Sequence, residues 1–432
     1  MSEKIRELCA DKPVAIFGTG ASGTATKKLL DSLGIESVFY AEANSKKTGE
    51  IAGELLQPFD EHTAKNHALV VYSPAFRPDH KWIVLAEQNG ATAVCEADFS
   101  ALAWSGKIVA ITGTNGKTTL TKFITKVLNE CGFDAISTGN IGFPLSQYCA
   151  EFGNDKNKIA VYELSSFQTS NLKFLKPDIL LWTNFAPDHL DWHKDMQEYF
   201  QAKNNLIKAT KGKVFIGSSV QDFAKSQNIT IPENVIVLDE NNPTPAPAPF
   251  DNSIQSRNFN MAIEVGKEFE ITKDKFEESA KTFDLPAFRF STPIEVNQVR
   301  FYNDSKATNA HATIGALQEL KNENHLIWIG GGKDKYCDLT ELVDAICQSA
   351  KCAILIGQTA EKLKSMLEGK LSDGVHVCES MKDAVEKAMF LSKKGSAVLF
   401  SPAFSSFGMF SSYSERGKSF KNEVLCLKNL KK

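Results

Sequence analysis

A chain of 432 residues that is 42% hydrophobic and 23% charged has ordinary globular composition and length for two or three domains, each able to bury its own core. Its 49 Lys and Arg against 52 Asp and Glu leave a formal net charge of −3, which excludes a strongly basic binder of nucleic acid or membrane surfaces. Nine scattered cysteines without a Cys-x-x-Cys pair read as reduced thiols and not as a disulfide framework or zinc site. With a polar start at Met1 to Asp11 and no apolar run near the roughly 20 residues a bilayer needs, the expectation is a cytoplasmic protein.

In chain order, Val14 to Phe17 reads as a short strand that runs into Gly18-Thr19-Gly20-Ala21-Ser22-Gly23, a literal G-x-G-x-x-G, with a helix over Thr24 to Leu33. Ser37 to Tyr40 is a second strand ending near Glu42. Alone, this dinucleotide fingerprint suggests an NAD enzyme, but what it physically requires is a turn at a helix N-terminus that accepts a diphosphate. Strands at Ala68 to Val71 and Ala91 to Val94 complete a small α/β sheet; Ser73-Pro74 closes the first of them and reads equally as a ligand contact or a plain turn.

The next unit carries the strongest signal. A β-branched run, Ile108 to Ile111, feeds Gly113-Thr114-Asn115-Gly116-Lys117-Thr118-Thr119, and a helix over Leu120 to Glu130 follows. Strand, glycine loop and helix in that order present backbone N–H groups to a phosphate, with Lys117 as a point charge for the β/γ-phosphates and Thr118 as a Mg²⁺ ligand. The general P-loop pattern is met in part, since its first glycine falls at Ile111. Ser137 to Gly142, with Asn140, reads as a polar glycine-rich turn. The strand Ile159 to Tyr162 ends in Glu163-Leu164-Ser165-Ser166-Phe167-Gln168, and Ile179 to Trp182 ends in Thr183 to Asp191 with Asp188-His189. Two strand-end clusters of acid and imidazole beside a Lys-Thr loop point to magnesium and phosphate chemistry.

Strands at Val214 to Ile216 and Val235 to Leu238 extend this sheet, Asn241 to Pro249 reads as an extended surface loop, and Phe259 to Phe269 as a packed helix. A third unit opens after Leu285 to Arg289 with one strand over Ile294 to Phe301, then Asn303-Asp304-Ser305-Lys306-Ala307-Thr308-Asn309 and a helix over Ala312 to Leu320. Strands at Leu326 to Ile329, Ala353 to Ile356, Val375 to Val377 and Ala397 to Phe400, with helices between, make another doubly wound α/β sheet. The reading is therefore three α/β domains: a Rossmann-like N-terminal domain (1–102), a central P-loop ATPase-type domain (103–288) and a C-terminal Rossmann-like domain (289–432).

Gly-Thr-Asn-Gly-Lys-Thr-Thr at 113–119, Glu-Leu-Ser-Ser-Phe-Gln at 163–168, Asp-His-Leu-Asp at 188–191 and Asn-Asp-Ser-Lys-Ala-Thr-Asn at 303–309 together resemble the Mur ligase family. Its members are the ATP-dependent amide-forming enzymes of peptidoglycan precursor synthesis, and so of cell-wall growth and division. Ser401-Pro402-Ala403, Ser405-Ser406-Phe407, Phe410, Tyr413 and Arg416-Gly417 resemble the C-terminal signature of the members that add D-glutamate to UDP-N-acetylmuramoyl-L-alanine.

The resemblance implies ATP and two Mg²⁺ ions as cofactors, and a monomer with no nucleic-acid or membrane partner. It implies that Gly20, Ser22, Ser73, Asn140 and Ser165 hold the UDP-sugar, and that residues 113–119 with Asn260, Arg289 and Asp304 hold ATP. Lys306, Thr308, Lys335, Ser406 and Tyr413 would form the D-glutamate pocket. Thr118, Glu163, His189 and Lys203 would serve metal. Lys203, which the bare sequence reads as a solvated helix cation, matches a lysine that becomes a carbamate, and its sign then inverts to support Mg²⁺. The catalytic set is Lys117, Glu163, His189 and Lys203. The sequence departs from the family pattern ahead of Asn260, where Ser256-Arg257-Asn258 replaces a His-Asn pair, and near Glu42, where the uracil contacts match poorly.

Other readings stay open on sequence alone: an L-alanine-adding Mur ligase, a folylpolyglutamate synthase-like ligase, an NAD-dependent oxidoreductase resting on residues 18–23, and a non-catalytic nucleotide-binding module.

Overall fold

The computed structural model describes residues 2–42, 58–290, 292–335 and 337–429. The stretch after Glu42, where uracil contacts are expected, runs into residues that lie outside this set. The chain divides into two compact units: Met1–Phe185, Gln197–Pro243 and Asn258–Ala280 form the first, and Ala186–Met196, Thr244–Arg257 and Lys281–Lys432 the second. Among the described residues no helix is long and apolar enough to cross a membrane.

The first unit contains two parallel sheets. The smaller has β1 (Val14–Phe17), β2 (Ser37–Tyr40), β3 (Leu69–Tyr72) and β4 (Thr92–Cys95) in the order β2-β1-β3-β4. Strands β1 and β3 are apolar and buried at every position, as a parallel sheet covered on both faces requires. One face packs Phe17 against Tyr40, Phe59 and Trp82, with the rings of Phe17 and Phe59 4.7 Å apart.

The larger sheet has β5 (Lys107–Thr112), β6 (Asp134–Gly139), β7 (Lys158–Glu163), β8 (Ile179–Trp182), β9 (Lys213–Gly217) and β10 (Ile236–Leu238) in the order β10-β9-β8-β5-β7-β6. Strand β5 lies between β7 and β8, with Ile111 level with Glu163 and Thr112 level with Trp182. That register brings the carboxyl tips of three strands together, where open parallel sheets bind ligands. The sequence reading took Ser137 to Gly142 for a turn. Residues 134–139 are instead the edge strand β6, which mixes polar with apolar residues and is buried only at Ala135 and Thr138, and so lacks a core-strand signature.

The two sheets of this unit are tied through the helix Glu96–Ser100. The Asp98 carboxylate accepts the backbone N–H groups of Lys173, Phe174 and Leu175 at 2.7, 2.9 and 2.6 Å. The Glu96 carboxyl accepts the Ser146 hydroxyl at 2.6 Å, and burial pushes it up from 4.5 to about 7. The folded state therefore holds a proton there that the unfolded chain has lost, and stability falls as pH rises from about 4.5 through 7. Glu96→Gln, which mimics the protonated form, is expected to remove this slope. Melting between pH 5 and 8 would then show the variant overtaking the parent at the alkaline end, by on the order of 3 kcal/mol.

The second unit has β11 (Ile294–Val296), β12 (Val299–Asn303), β13 (Leu326–Gly330), β14 (Cys352–Leu355), β15 (Val375–Val377) and β16 (Ala397–Phe400) in the order β11-β12-β16-β13-β14-β15, with β11 antiparallel and the rest parallel. The single strand expected over Ile294 to Phe301 is a hairpin. Asn297 and Gln298 both take positive φ, 52° and 63°, the geometry of a type I′ turn, and a glutamine at the second position hides it from a search for Asn-Gly. Adjacent tips of β12, β16 and β13 carry the loops 304–309, 401–407 and 331–335. Arg416, on the helix Tyr413–Asn429, is 1% exposed and binds two of these loops: its guanidinium donates to Ser305 O and Phe404 O at 2.9 Å and to Ser305 Oγ at 3.2 Å.

Candidate active site

In the first unit the loop after β5 is held from the tip of the neighbouring strand β8. Thr114 N–H donates to Asn184 O at 3.1 Å and Asn115 N–H to Asn184 Oδ1 at 2.9 Å. The Thr183 hydroxyl donates to Asn115 O at 2.6 Å. Gly113 sits at φ 142°, and a Cβ there would stand 1.8 Å from Thr183 Oγ1. Gly116, at φ 87°, starts the helix Lys117–Glu130, and a Cβ there would stand 2.4 Å from Asn258 Oδ1. The two glycines differ in what blocks them. Thr183 is locked by its own hydrogen bond and by its backbone 3.2 Å from that Cβ, whereas Asn258 presents the end of a side chain. Gly113→Ala is therefore expected to weaken ADP binding and lower the melting point more than Gly116→Ala, with a stability loss of about 2–4 kcal/mol against about 1–2. Calorimetry and nucleotide titration of the pair would read this order.

Lys117 starts that helix, and its ammonium donates to Gly113 O at 2.8 Å and Thr114 O at 3.1 Å. Thr118 is half-buried and Thr119 buried. Beneath the loop lies Lys203, on the helix Met196–Ala209. It is 1% exposed, not the solvated cation that its polar neighbours suggest, and donates to Gly113 O at 3.0 Å and Thr112 Oγ1 at 3.2 Å.

Glu163 ends β7 beside the loop, also 1% exposed. Its Oε1 accepts from Asn140 Nδ2 at 3.0 Å, while its Oε2 is buried with no hydrogen-bond partner among the described residues. A buried carboxylate oxygen without a donor is costly unless a cation meets it, so Glu163 and the Thr118 hydroxyl suit a hard divalent ion with oxygen ligands. Ser165 caps the short helix Ser166–Thr169 in a reciprocal box with Gln168, so its hydroxyl already has a local role. In the smaller sheet, Gly20 is the exposed residue before the helix Ala21–Ser32, Ser22 lies in its first turn, and Ser73 N–H donates to Phe17 O at 2.9 Å. Asn260 is half-buried on the helix Ser253–Lys267. Its neighbour Asn258, which the sequence reading left without a role, is the residue that meets Gly116.

In the second unit His189 adopts φ 57° and its Nε2 lies 3.7 Å from Asp188 Oδ2. Asp188, read from the sequence as a strand-end acid beside an imidazole, is the hub of a buried cluster. It accepts from Lys335 Nζ at 2.6 Å, Asn309 Nδ2 at 2.9 Å and His189 N at 2.8 Å. Burial alone would push its carboxyl up, yet His189, Lys335 and Asn309 together hold it well below the ordinary carboxylate range. Lys306 Nζ lies 4.2 Å from the Tyr413 ring centroid. Thr308 is half-buried at the end of the same loop, and Ser406 is 5% exposed. Both oxygens of Asp304 are engaged, accepting Phe290 N–H at 3.0 Å and the Ser401 hydroxyl at 2.8 Å, and burial raises its carboxyl to about 7. Arg289 lies half-buried just before this hub, and its charge acts on Asp304 against that rise.

A glycine loop that opens a helix beside a buried carboxylate is a geometry that meets a phosphate. Profiles of known families agree: the Mur ligase middle domain matches residues 111–316, and the Mur ligase glutamate ligase domain matches 289–404. The UDP-N-acetylmuramoylalanine–D-glutamate ligase of Aquifex aeolicus is 32% identical over 95% of this chain and 97% of its own length. The chain belongs to the Mur ligase family. As a Mur ligase it is an ATP-dependent amide-forming enzyme, and the family uses ATP with Mg²⁺. The correspondingly named protein of Caldanaerobacter subterraneus is 29% identical over 97% of this chain and 99% of its own. The crystal structure of the UDP-N-acetylmuramate-alanine ligase of Thermotoga maritima has the same fold at 16% identity, with a TM-score of 0.57 over 96% of this chain and 99% of that one.

Proposed function

We propose that this Mur ligase joins D-glutamate to UDP-N-acetylmuramoyl-L-alanine, with ATP cleaved to ADP and phosphate, as a cytoplasmic monomer that works on peptidoglycan precursors. The observation that carries the reading is similarity along nearly the whole chain to relatives named for that reaction. Three functional regions follow, with limits at 1–102, 103–288 and 289–432.

The reaction needs a carboxylate made electrophilic and then attacked by an amine. The turn at Gly20 and Ser22, with Ser73, Asn140 and Ser165, receives the UDP-sugar. Residues 113–119, Asn260, Arg289 and Asp304 receive ATP. Lys117 neutralises the phosphoryl group as it passes to the alanine carboxylate and gives an acyl phosphate. Lys306 and Lys335, with Thr308, Ser406 and Tyr413, pair with the two carboxylates of D-glutamate and aim its amine at the acyl carbon, and phosphate leaves from the tetrahedral intermediate. Thr118, Glu163, His189 and Lys203, the last as a carbamate, would hold two Mg²⁺ ions, which supply positive charge against the phosphates.

Lys203 separates two charge assignments. Lys203→Ala is expected to lose activity by on the order of 100-fold. Added acetate or propionate should restore part of it if an anion is needed there, and methylamine should not. Rescue by methylamine alone would assign Lys203 to the ammonium that binds Thr112 and Gly113.

The function is tested by phosphate release from ATP and Mg²⁺ with UDP-N-acetylmuramoyl-L-alanine, offering D-glutamate, L-glutamate, L-alanine or no amine. Turnover with D-glutamate alone is expected. Turnover of the unextended UDP-sugar with L-alanine would keep the family and overturn the acceptor.

A further inference from the structure

The phosphate loop lies at the carboxyl end of β5, and the opposite end of that sheet carries a second concentration of positive charge. There a cavity of about 290 Å³ is lined by Lys107, Lys156, Lys176 and Lys211. Each lysine stands at or just before the start of a different one of four adjacent strands. Lys107 opens β5, Lys156 stands two residues before β7, Lys176 three before β8, and Lys211 two before β9. The parallel order therefore delivers one ammonium per strand to one edge of the sheet. None of the four forms an ion pair with a described residue, and the Lys107 ammonium lies over the Phe269 ring, 5.3 Å from its centroid. Asp178 is the one acid lining the cavity, and its Oδ2 already accepts the Ile108 N–H at 2.8 Å. The floor is rigid, since Trp104 is buried there and its indole N–H donates to Lys107 O at 3.3 Å.

We propose that this cavity binds a small multivalent anion, a phosphate ester or a polycarboxylate, at a site separate from the phosphate loop by the length of β5, roughly 20 Å. Four like charges against a single lining carboxylate repel one another, and a compact anion of charge two or more relieves that repulsion at every lysine at once. The volume is near the lower end for small-molecule sites and fits a diphosphate or a tricarboxylate, not a nucleic-acid strand. The walls add apolar surface from Phe174 and Ala101.

Lysine acetylation with mass-spectrometric readout, on the whole chain, locates binding by residue. Pyrophosphate is titrated in one series and citrate in another, with the exposed Lys225 and Lys321 as references. The expected result is a saturable fall of about threefold or more in acetylation of Lys107, Lys156, Lys176 and Lys211 while the references are unchanged. Protection by pyrophosphate alone assigns phosphate esters, and protection by citrate as well assigns a site selected by charge. In Lys156→Gln/Lys211→Gln, a surface variant whose fold is checked by circular dichroism, protection of Lys107 and Lys176 should disappear. Equal protection of the reference lysines, no protection by either anion, or full protection in the double variant would overturn the proposal.

Discussion

Glu163→Gln is expected to cut phosphate release by on the order of 10²–10³-fold while the melting temperature stays level or rises. The two halves of that result share one cause. Glu163 is buried, one of its oxygens is satisfied by Asn140, and the other has no donor among the described residues. An uncompensated charge at 1% exposure burdens the fold, so removing it does not destabilise the protein. A glutamine keeps the shape, and its carbonyl still accepts the Asn140 N–H. Its amide nitrogen, however, places a donor where the proposed chemistry needs an acceptor for a cation beside the phosphates, and a single such electrostatic contact accounts for about 3–4 kcal/mol of barrier. Steady-state kinetics and calorimetry on the same preparation test both halves. Activity near that of the parent would remove Glu163 from the metal site, and a fall of several degrees in melting temperature would make the orphaned oxygen a structural acceptor.

The parts of this site that were legible in the sequence are those where backbone geometry permits few residue types. Gly113 and Gly116 stand where positive φ and a close neighbour admit no side chain, so the phosphate loop could be read directly. Lys203 was opaque. Tyr199-Phe200-Gln201-Ala202-Lys203-Asn204-Asn205 looks like a half-polar surface helix, and the reason for its burial, the carbonyl of Gly113 and the hydroxyl of Thr112, lies some 90 residues away in sequence. Asp188 was hidden differently. It was visible beside His189, but its partners Asn309 and Lys335 come from loops of a sheet that begins more than 100 residues later, and periodicity carries no information on such pairings. Apolar strands were readable from their runs, whereas a polar edge strand and a tight hairpin were not. Strand β6 has no apolar run, and the β11–β12 turn uses an Asn-Gln pair whose positive φ values appear only in the folded chain.

Removing the charge at Asp188 should be the most damaging change in the second unit. Lys335 is 12% exposed and Asp188 5%, and they meet at 2.6 Å. Such a pair adds little net stability, but leaving one half unpaired costs about 3–5 kcal/mol. In Asp188→Asn the new amide can offer its oxygen to Lys335 or to the Asn309 amide, and its nitrogen then faces the other donor. The expected outcome is a drop on the order of 10 °C in the melting of this unit, with a raised KM for D-glutamate. A stability loss alone would not show that Lys335 meets substrate, and the double variant Asp188→Leu/Lys335→Met separates the two effects. Replacing both charges with apolar groups of similar size should recover most of the lost melting temperature. If Lys335 pairs with a carboxylate of D-glutamate, that refolded protein still binds ATP and still fails to turn over at ordinary D-glutamate concentrations. If the double variant regains activity along with stability, Lys335 is a buried counter-ion of Asp188 and nothing more, and the acceptor must be held by Lys306 and the loops around Ser406 and Tyr413.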